Sequence, residues 1–118
     1  MKNKIKIVIA DDNPNIRHTL ADILTSKGYL VDTVSDGYEL IDYLKENSSD
    51  ILILDLIMPN KDGIEILSTV KNISSDTKII IYTAFQRYEH SVYANKVDKF
   101  LLKTDKPEKL LQAIEKLT

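Results

Sequence analysis

At 118 residues, with 43% hydrophobic and 29% charged side chains, the chain has the size and balance of one globular domain with one core. It has no cysteine and only two histidines, His18 and His90, which excludes a disulfide framework, a thiolate zinc site, a cysteine nucleophile and a histidine cage. A net charge of −2, from 16 basic and 18 acidic residues, gives no global field for nucleic acid, and no apolar run approaches the roughly 20 residues of a membrane span.

The basic start, Met1 to Lys4, runs into the apolar stretch Ile5–Ala10, which Asp11 and Asp12 end. About six apolar residues are too few for the h-region of a secretion signal. The expectation is a soluble, cytoplasmic protein, one domain over residues 1–118.

In chain order, Ile5–Ala10 is the first of five short apolar runs. The others are Tyr29–Val34, Asp50–Leu54, Lys78–Tyr82 and Lys99–Leu102. Most alternate little, as strands buried on both faces do, so a mostly parallel sheet covered by helices is expected.

Helical periods fill the gaps. Ile16, Leu20, Ile23 and Leu24 make a stripe over 14–27, with Asn13 as N-cap, Pro14 at the first helical position and Gly28 as the closing residue. Arg17 and His18 fall on the other side of that helix and are expected at the surface. Leu40, Ile41 and Leu44 mark a helix over 37–47, and Ile64, Leu67 and Val70 one over 63–72. Residues 85–95 carry the weakest pattern; Tyr88, His90 and Tyr93 there form either an output patch or a thin amphipathic face. Leu110, Leu111, Ile114 and Leu117 mark the clearest helix, over 107–117. Asp36 with Glu39, Asp62 with Glu65 and Asp105 with Glu108 have capping-box spacing. Five strand–helix repeats with right-handed crossovers predict an α/β fold, a doubly wound sheet flanked by five helices.

In such a sheet the site lies beyond the carboxyl ends of the strands. Strand one ends at Asp11 and Asp12, strand three at Asp55, strand four at Thr83 and Ala84, and strand five at Lys103. With strand order 2-1-3-4-5, these side chains converge on one crevice. Two carboxylates at about 4 Å and an effective dielectric of 20 repel by about 4 kcal/mol, which a divalent cation and Lys103 would relieve. Mg2+ suits hard oxygen ligands and leaves positions for water and phosphate. A carboxylate can then act as nucleophile toward phosphorus, Thr83 can donate to a phosphoryl oxygen, and Lys103 can pair with one. Read singly, each residue has a plainer role: Asp11 and Asp12 as strand end and cap, Asp55 as a turn residue, Phe100 and Tyr82 as core.

Together they carry a family resemblance. The acidic pair Asp11-Asp12, the run Asp55-Leu56-Ile57-Met58-Pro59 with Gly63, then Thr83-Ala84, Phe100 and Lys103 resemble the motifs of the receiver domains of two-component response regulators. The resemblance spans essentially the whole chain and implies the flavodoxin-like fold. It implies that Asp55 accepts phosphate from a sensor histidine kinase or a phosphotransfer protein. It also implies that Asp12, Asp55 and the Ile57 backbone carbonyl bind Mg2+, that Asp11 acts through water, and that Lys103 contacts the phosphoryl group. Thr83 and Phe100 would move inward together on phosphorylation. That would reshape the face made by the 85–95 helix, strand five and the last helix, and change binding of an output partner or fused output domain. The same face allows a phosphorylation-linked dimer. No DNA-binding module is present, so no direct nucleic-acid contact and no membrane contact are expected, and the chain reads as a switch rather than a turnover enzyme.

Three departures stand out. Thr104 follows Lys103 where receivers usually have proline, often with a cis bond. The Thr83-to-Lys103 interval looks short, and Asn95-Lys96-Val97 replaces the usual Gly-Ala. They motivate an alternative, a constitutive receiver-like interaction module with weak or no phosphotransfer. Apolar Ile57, two residues after Asp55, should disfavour attacking water and so give a slow-decaying phosphoryl group. A phosphatase, nucleotide or flavin site is disfavoured: Gly28, Gly37 and Gly63 fit no Gly-rich phosphate loop, and no second acid stands two residues after Asp55 to serve as general acid.

Overall fold

The computed structural model describes residues 4–58, 63–84 and 96–118. The described elements are β1 (Lys6–Ala10), α1 (Pro14–Ser26), β2 (Leu30–Val34), α2 (Gly37–Glu46), β3 (Ile51–Leu54), α3 (Gly63–Ile73), β4 (Lys78–Thr83), β5 (Lys99–Leu102) and α4 (Pro107–Leu117). The five strands are parallel, in the order β2-β1-β3-β4-β5. Five helices were expected and four are described. The helix expected over 85–95 and the Asp62 cap lie outside the described residues.

Strand pleating divides the core in two. Val8, Ala10, Leu52, Leu54, Ile79 and Ile81 face α2 and α3, where they meet Leu40, Leu44, Ile66, Leu67 and Val70. Their neighbours Ile7, Ile9, Ile51, Ile53, Ile80 and Tyr82 face α1 and α4, where they meet Leu20, Leu24, Leu110 and Ile114. Alternate residues thus serve opposite faces, which is why the central strands read as unbroken apolar runs. All four residues of β3 are buried, each contributing about 1.5–3 kcal/mol of hydrophobic stabilisation.

β2 departs from the expected two-sided burial: Leu30, Asp32 and Thr33 are exposed and only Val34 is buried. It is an edge strand, paired with β1 alone, so only the end near the core is covered.

The α1 boundaries follow their signals. The Asn13 side chain accepts from the Asn15 and Ile16 N–H groups, and Pro14 takes the first helical position. At the other end Gly28 adopts φ 95°, its N–H donates to the Thr25 carbonyl, and the Tyr29 N–H donates to the Leu24 carbonyl. This is a Schellman closure, and a Cβ at Gly28 would be strained.

α2 is capped by Asp36, which accepts from the Glu39 N–H at 2.8 Å. α4 corrects an expectation: its N-cap is Lys106, with no side-chain cap bond, not Asp105. Pro107 at the first helical position moves the cap one residue on. Asp105 turns back to accept from the Leu102 N–H at 3.3 Å and lies 3.6 Å from Lys109.

Candidate functional site

β1 and β3 run side by side with Ala10 opposite Leu54. The next step along each strand places Asp11 beside Asp55, and the Asp55 N–H continues the ladder to the Ala10 carbonyl at 3.0 Å. By pleat both acids belong with the α1–α4 face. Both are buried, at 2% and 7% exposure, which commits two carboxylates to one low-dielectric spot.

Lys103 reaches them from β5, two strands from β3 and three from β1. Its N–H extends the β4–β5 ladder to the Thr83 carbonyl at 2.8 Å. Its Nζ then lies 2.7 Å from Asp11 Oδ2 and 2.9 Å from Asp55 Oδ2. The other oxygen of each acid is held by backbone two residues on: Asp11 Oδ1 accepts from the Asn13 N–H at 2.9 Å and Asp55 Oδ1 from the Ile57 N–H at 3.1 Å. Asp12 completes the cluster from the solvent side. Oxygens of Asp11, Asp12 and Asp55 lie within 4.8 Å of one another, with Asp12 exposed.

The charges do not balance. Among the described residues the three carboxylates have one ammonium paired among them, that of Lys103, and the cluster stays net negative. Burial pushes the Asp55 carboxyl up from its ordinary value; the Lys103 and Ile57 hydrogen bonds oppose the shift without cancelling it, and Asp11 adds to it. Burial alone would lower Lys103, but its bonds to Asp11 and Asp55 outweigh that and leave the ammonium raised. Lys103 therefore stays charged while Asp55 is held against its preference, a cluster short of positive charge. A hard divalent cation fits that shortfall: the donors are all carboxylate oxygens, and the exposed Asp12 leaves room for water. The site is compatible with Mg2+.

Of the other expected site residues, Thr83 is fully buried at the end of β4 and follows Ile79 and Ile81 in pleat, toward α2 and α3. Phe100 is half-buried against the same core, so its core role is met. Tyr82 is buried on the α1–α4 face, where burial raises its hydroxyl pKa. The Ile57 side chain is 41% exposed beside Asp55. Thr104 in the proline position does not keep Lys103 from its partners, and no cis peptide bond occurs among the described residues. Val97 packs against the α2–α3 core. Tyr88, His90 and Tyr93 lie outside the described residues.

One expectation is corrected. Arg17 was expected on the exposed side of α1 beside His18. His18 is exposed, but Arg17 is half-buried and its Nη1 donates to the Asp11 carbonyl at 2.7 Å. The available signal was its charge: a cation in the first turn of a helix opposes the helix dipole, so it needs a local reason.

The family model for the response regulator receiver domain matches residues 7–115. The chain belongs to that family. A curated receiver relative, response regulator MprA of Mycobacterium sp. (strain KMS), is 32% identical over 80 residues, covering 68% of this chain and 35% of that protein. A transcriptional regulatory protein of Bacillus subtilis (strain 168), YxjL, is 32% identical over 96% of this chain and 54% of its own length. The receiver described here thus spans between a third and about half of these relatives. The crystal structure of the response regulator TrrA of Thermotoga maritima in complex with Mg2+-BeF matches with a TM-score of 0.90 and 31% identity, covering 97% of this chain and 99% of that one. TrrA has also been solved in complex with the histidine kinase ThkA, and that copy matches with a TM-score of 0.87 over 96% of this chain.

Proposed function

We propose that this receiver is a phosphorylation-dependent signalling switch with Asp55 as phosphoacceptor. The observation that carries the reading is the Asp55 carboxylate itself: buried at the end of β3, 2.9 Å from Lys103 and clustered with Asp11 and Asp12. An Asp55 oxygen attacks phosphorus, the bond from phosphorus to the donor breaks, and the donor keeps that bond's electron pair. Lys103 holds charge on the transferring oxygens, and Thr83, which lies toward α2 and α3 in this state, donates to one of them once it has moved inward. Asp12, Asp55 and the Ile57 carbonyl would hold Mg2+ directly and Asp11 through water; the ion supplies charge neutralisation for the transfer.

The donor is a histidine kinase or phosphotransfer protein, by analogy with the ThkA complex. The gain of about −1.5 to −2 charges at Asp55 biases a two-state element, with Thr83 and Phe100 moving inward and changing binding of an output partner or fused output domain. The switch acts in the cytoplasm as one domain over residues 1–118, and carries phosphate stoichiometrically rather than turning over a substrate. Among the described residues no helix is long and apolar enough to cross a membrane.

The test is intact mass after incubation with Mg2+ and acetyl phosphate. One phosphoryl group on the parent protein and none on Asp55→Asn is the expected result. A phosphoryl group on both would move the acceptor elsewhere. None on either, in a protein that binds Mg2+ and a stable phosphoryl mimic without changing shape, would favour the constitutive module.

A further inference from the structure

Every polar group of Asp11 is tied down. Its N–H donates to the Val34 carbonyl at 3.2 Å, Oδ1 accepts from Asn13, Oδ2 pairs with Lys103, and its carbonyl accepts from Arg17 Nη1 at 2.7 Å. The first three hold Asp11 itself. The fourth acts further on. The Asp11 carbonyl belongs to the planar peptide unit that joins Asp11 to Asp12, so fixing that oxygen fixes the plane from which Asp12 departs. Asp12 is exposed, so nothing buried about its own side chain sets its direction. The next fixed point is Asn13, whose side chain caps α1.

The placement of Arg17 goes against what α1 would choose. It stands in the first turn, which has no acidic residue, and a cation there opposes the helix dipole by about 0.3–1 kcal/mol. Among the described residues Arg17 makes no carboxylate pair; its bond goes to a backbone carbonyl. A surface arginine serving solubility would point to water, and one serving charge balance would pair with Asp11 or Asp12 directly.

We propose that Arg17 is a positioning residue for the metal site: its guanidinium holds the Asp11–Asp12 peptide plane and so presents the Asp12 carboxylate to the divalent cation. This rests on the Mg2+ reading of the acidic cluster. The role is mechanical, and its sign distinguishes it from charge balance. Removing a cation beside three carboxylates should tighten Mg2+ by simple attraction. Removing the support of the peptide plane should weaken it.

The experiment is a Mg2+ titration by calorimetry on the unmodified protein, Arg17→Ala, Arg17→Lys and His18→Ala, with thermal melts of each in the absence of Mg2+. Loss of a group that orients a ligand lowers metal affinity by about tenfold or more, and Arg17→Ala is expected to do so. Arg17→Lys, which keeps a long donor and the charge, should recover most of the affinity, and His18→Ala should match the parent. A melting temperature lowered in Arg17→Ala with Mg2+ affinity unchanged would make Arg17 a structural residue and overturn the proposal. Tighter Mg2+ binding in Arg17→Ala would overturn it in favour of charge balance. Failure of the unmodified protein to bind Mg2+ would overturn the metal reading together with this one, whereas a normal parent and an unaffected variant would overturn this one alone.

Discussion

Buried polar side chains sit at both ends of the sheet, and the two ends treat them in opposite ways. At the amino end, Ser49 and Thr77 are neutral and fully engaged. The Ser49 hydroxyl donates to the Ile51 carbonyl at 2.9 Å, and the Thr77 hydroxyl to the Ser49 carbonyl at 2.7 Å, tying the entry of β4 to that of β3. At the carboxyl end, Asp11 and Asp55 are as deeply buried but carry like charges against a single lysine. One end spends its polar groups on joining strands. The other accumulates negative charge that the fold alone does not neutralise. Equal burial therefore says little about role; what separates the ends is whether the group's partners cancel its charge.

Removing the ammonium of Lys103, the one paired with these acids among the described residues, should give the largest effect. Lys103→Met leaves two buried acids facing each other and is expected to destabilise the protein by about 3 kcal/mol at neutral pH, as breaking a buried ion pair does. The loss should shrink in acid, where protonating one carboxyl removes the repulsion, and should be partly restored by Mg2+. Urea denaturation at several pH values, with and without the metal, measures it. A small loss that ignores pH would mean that Lys103 is not the compensating charge.

The amino end should respond differently. Thr77→Val strips a donor from the buried Ser49 carbonyl, with an expected loss of about 1–3 kcal/mol. That loss should be flat with pH and indifferent to Mg2+ in the same denaturation series. Any coupling to the metal would erase the contrast between the two ends.

The smallest effect carries the sharpest sign. The folded-state pKa of Asp55 is raised above its ordinary value of 3.8, chiefly by burial. The folded state therefore holds the proton more tightly, and stability is withdrawn as pH rises from the unfolded pKa through the folded one. Ionised Asp55 is thus a liability at neutral pH. Asp55→Asn should be slightly more stable than the parent there, the gap closing in acid once the parent carboxyl is protonated. Melts across that range would show it, and a less stable variant at neutral pH would mean that the Lys103 bond outweighs desolvation.

Much of this was legible in the chain. Continuous short runs such as Ile51–Leu54 fit strands covered on both sides, and the strand ends supply Asp11, Asp55 and Lys103 in the right order. What escaped were effects of neighbours in space. β2 was grouped with the apolar runs, but its edge position leaves Leu30 exposed, and Asp32 and Thr33 already set it apart from the inner strands. Asp105 has ideal spacing to Glu108, but Pro107 sets the start of α4 and frees Asp105 to fold back on Leu102. Arg17 carries only the hint of a cation in a first turn; its partner is set by the path of the loop from Asp11, which brings a carbonyl within its reach.

The unshifted pairing of β1 with β3 has a further meaning for how such a chain can vary over time. Val8, Ile9, Leu52 and Ile53 can exchange among aliphatic residues with modest loss, since volume and pattern survive. A single residue inserted into or deleted from either strand is another matter: it would turn Asp11 or Asp55 to the opposite face of the sheet. In this molecule the number of residues in β1 and β3 is held more tightly than the identity of the aliphatic side chains within them.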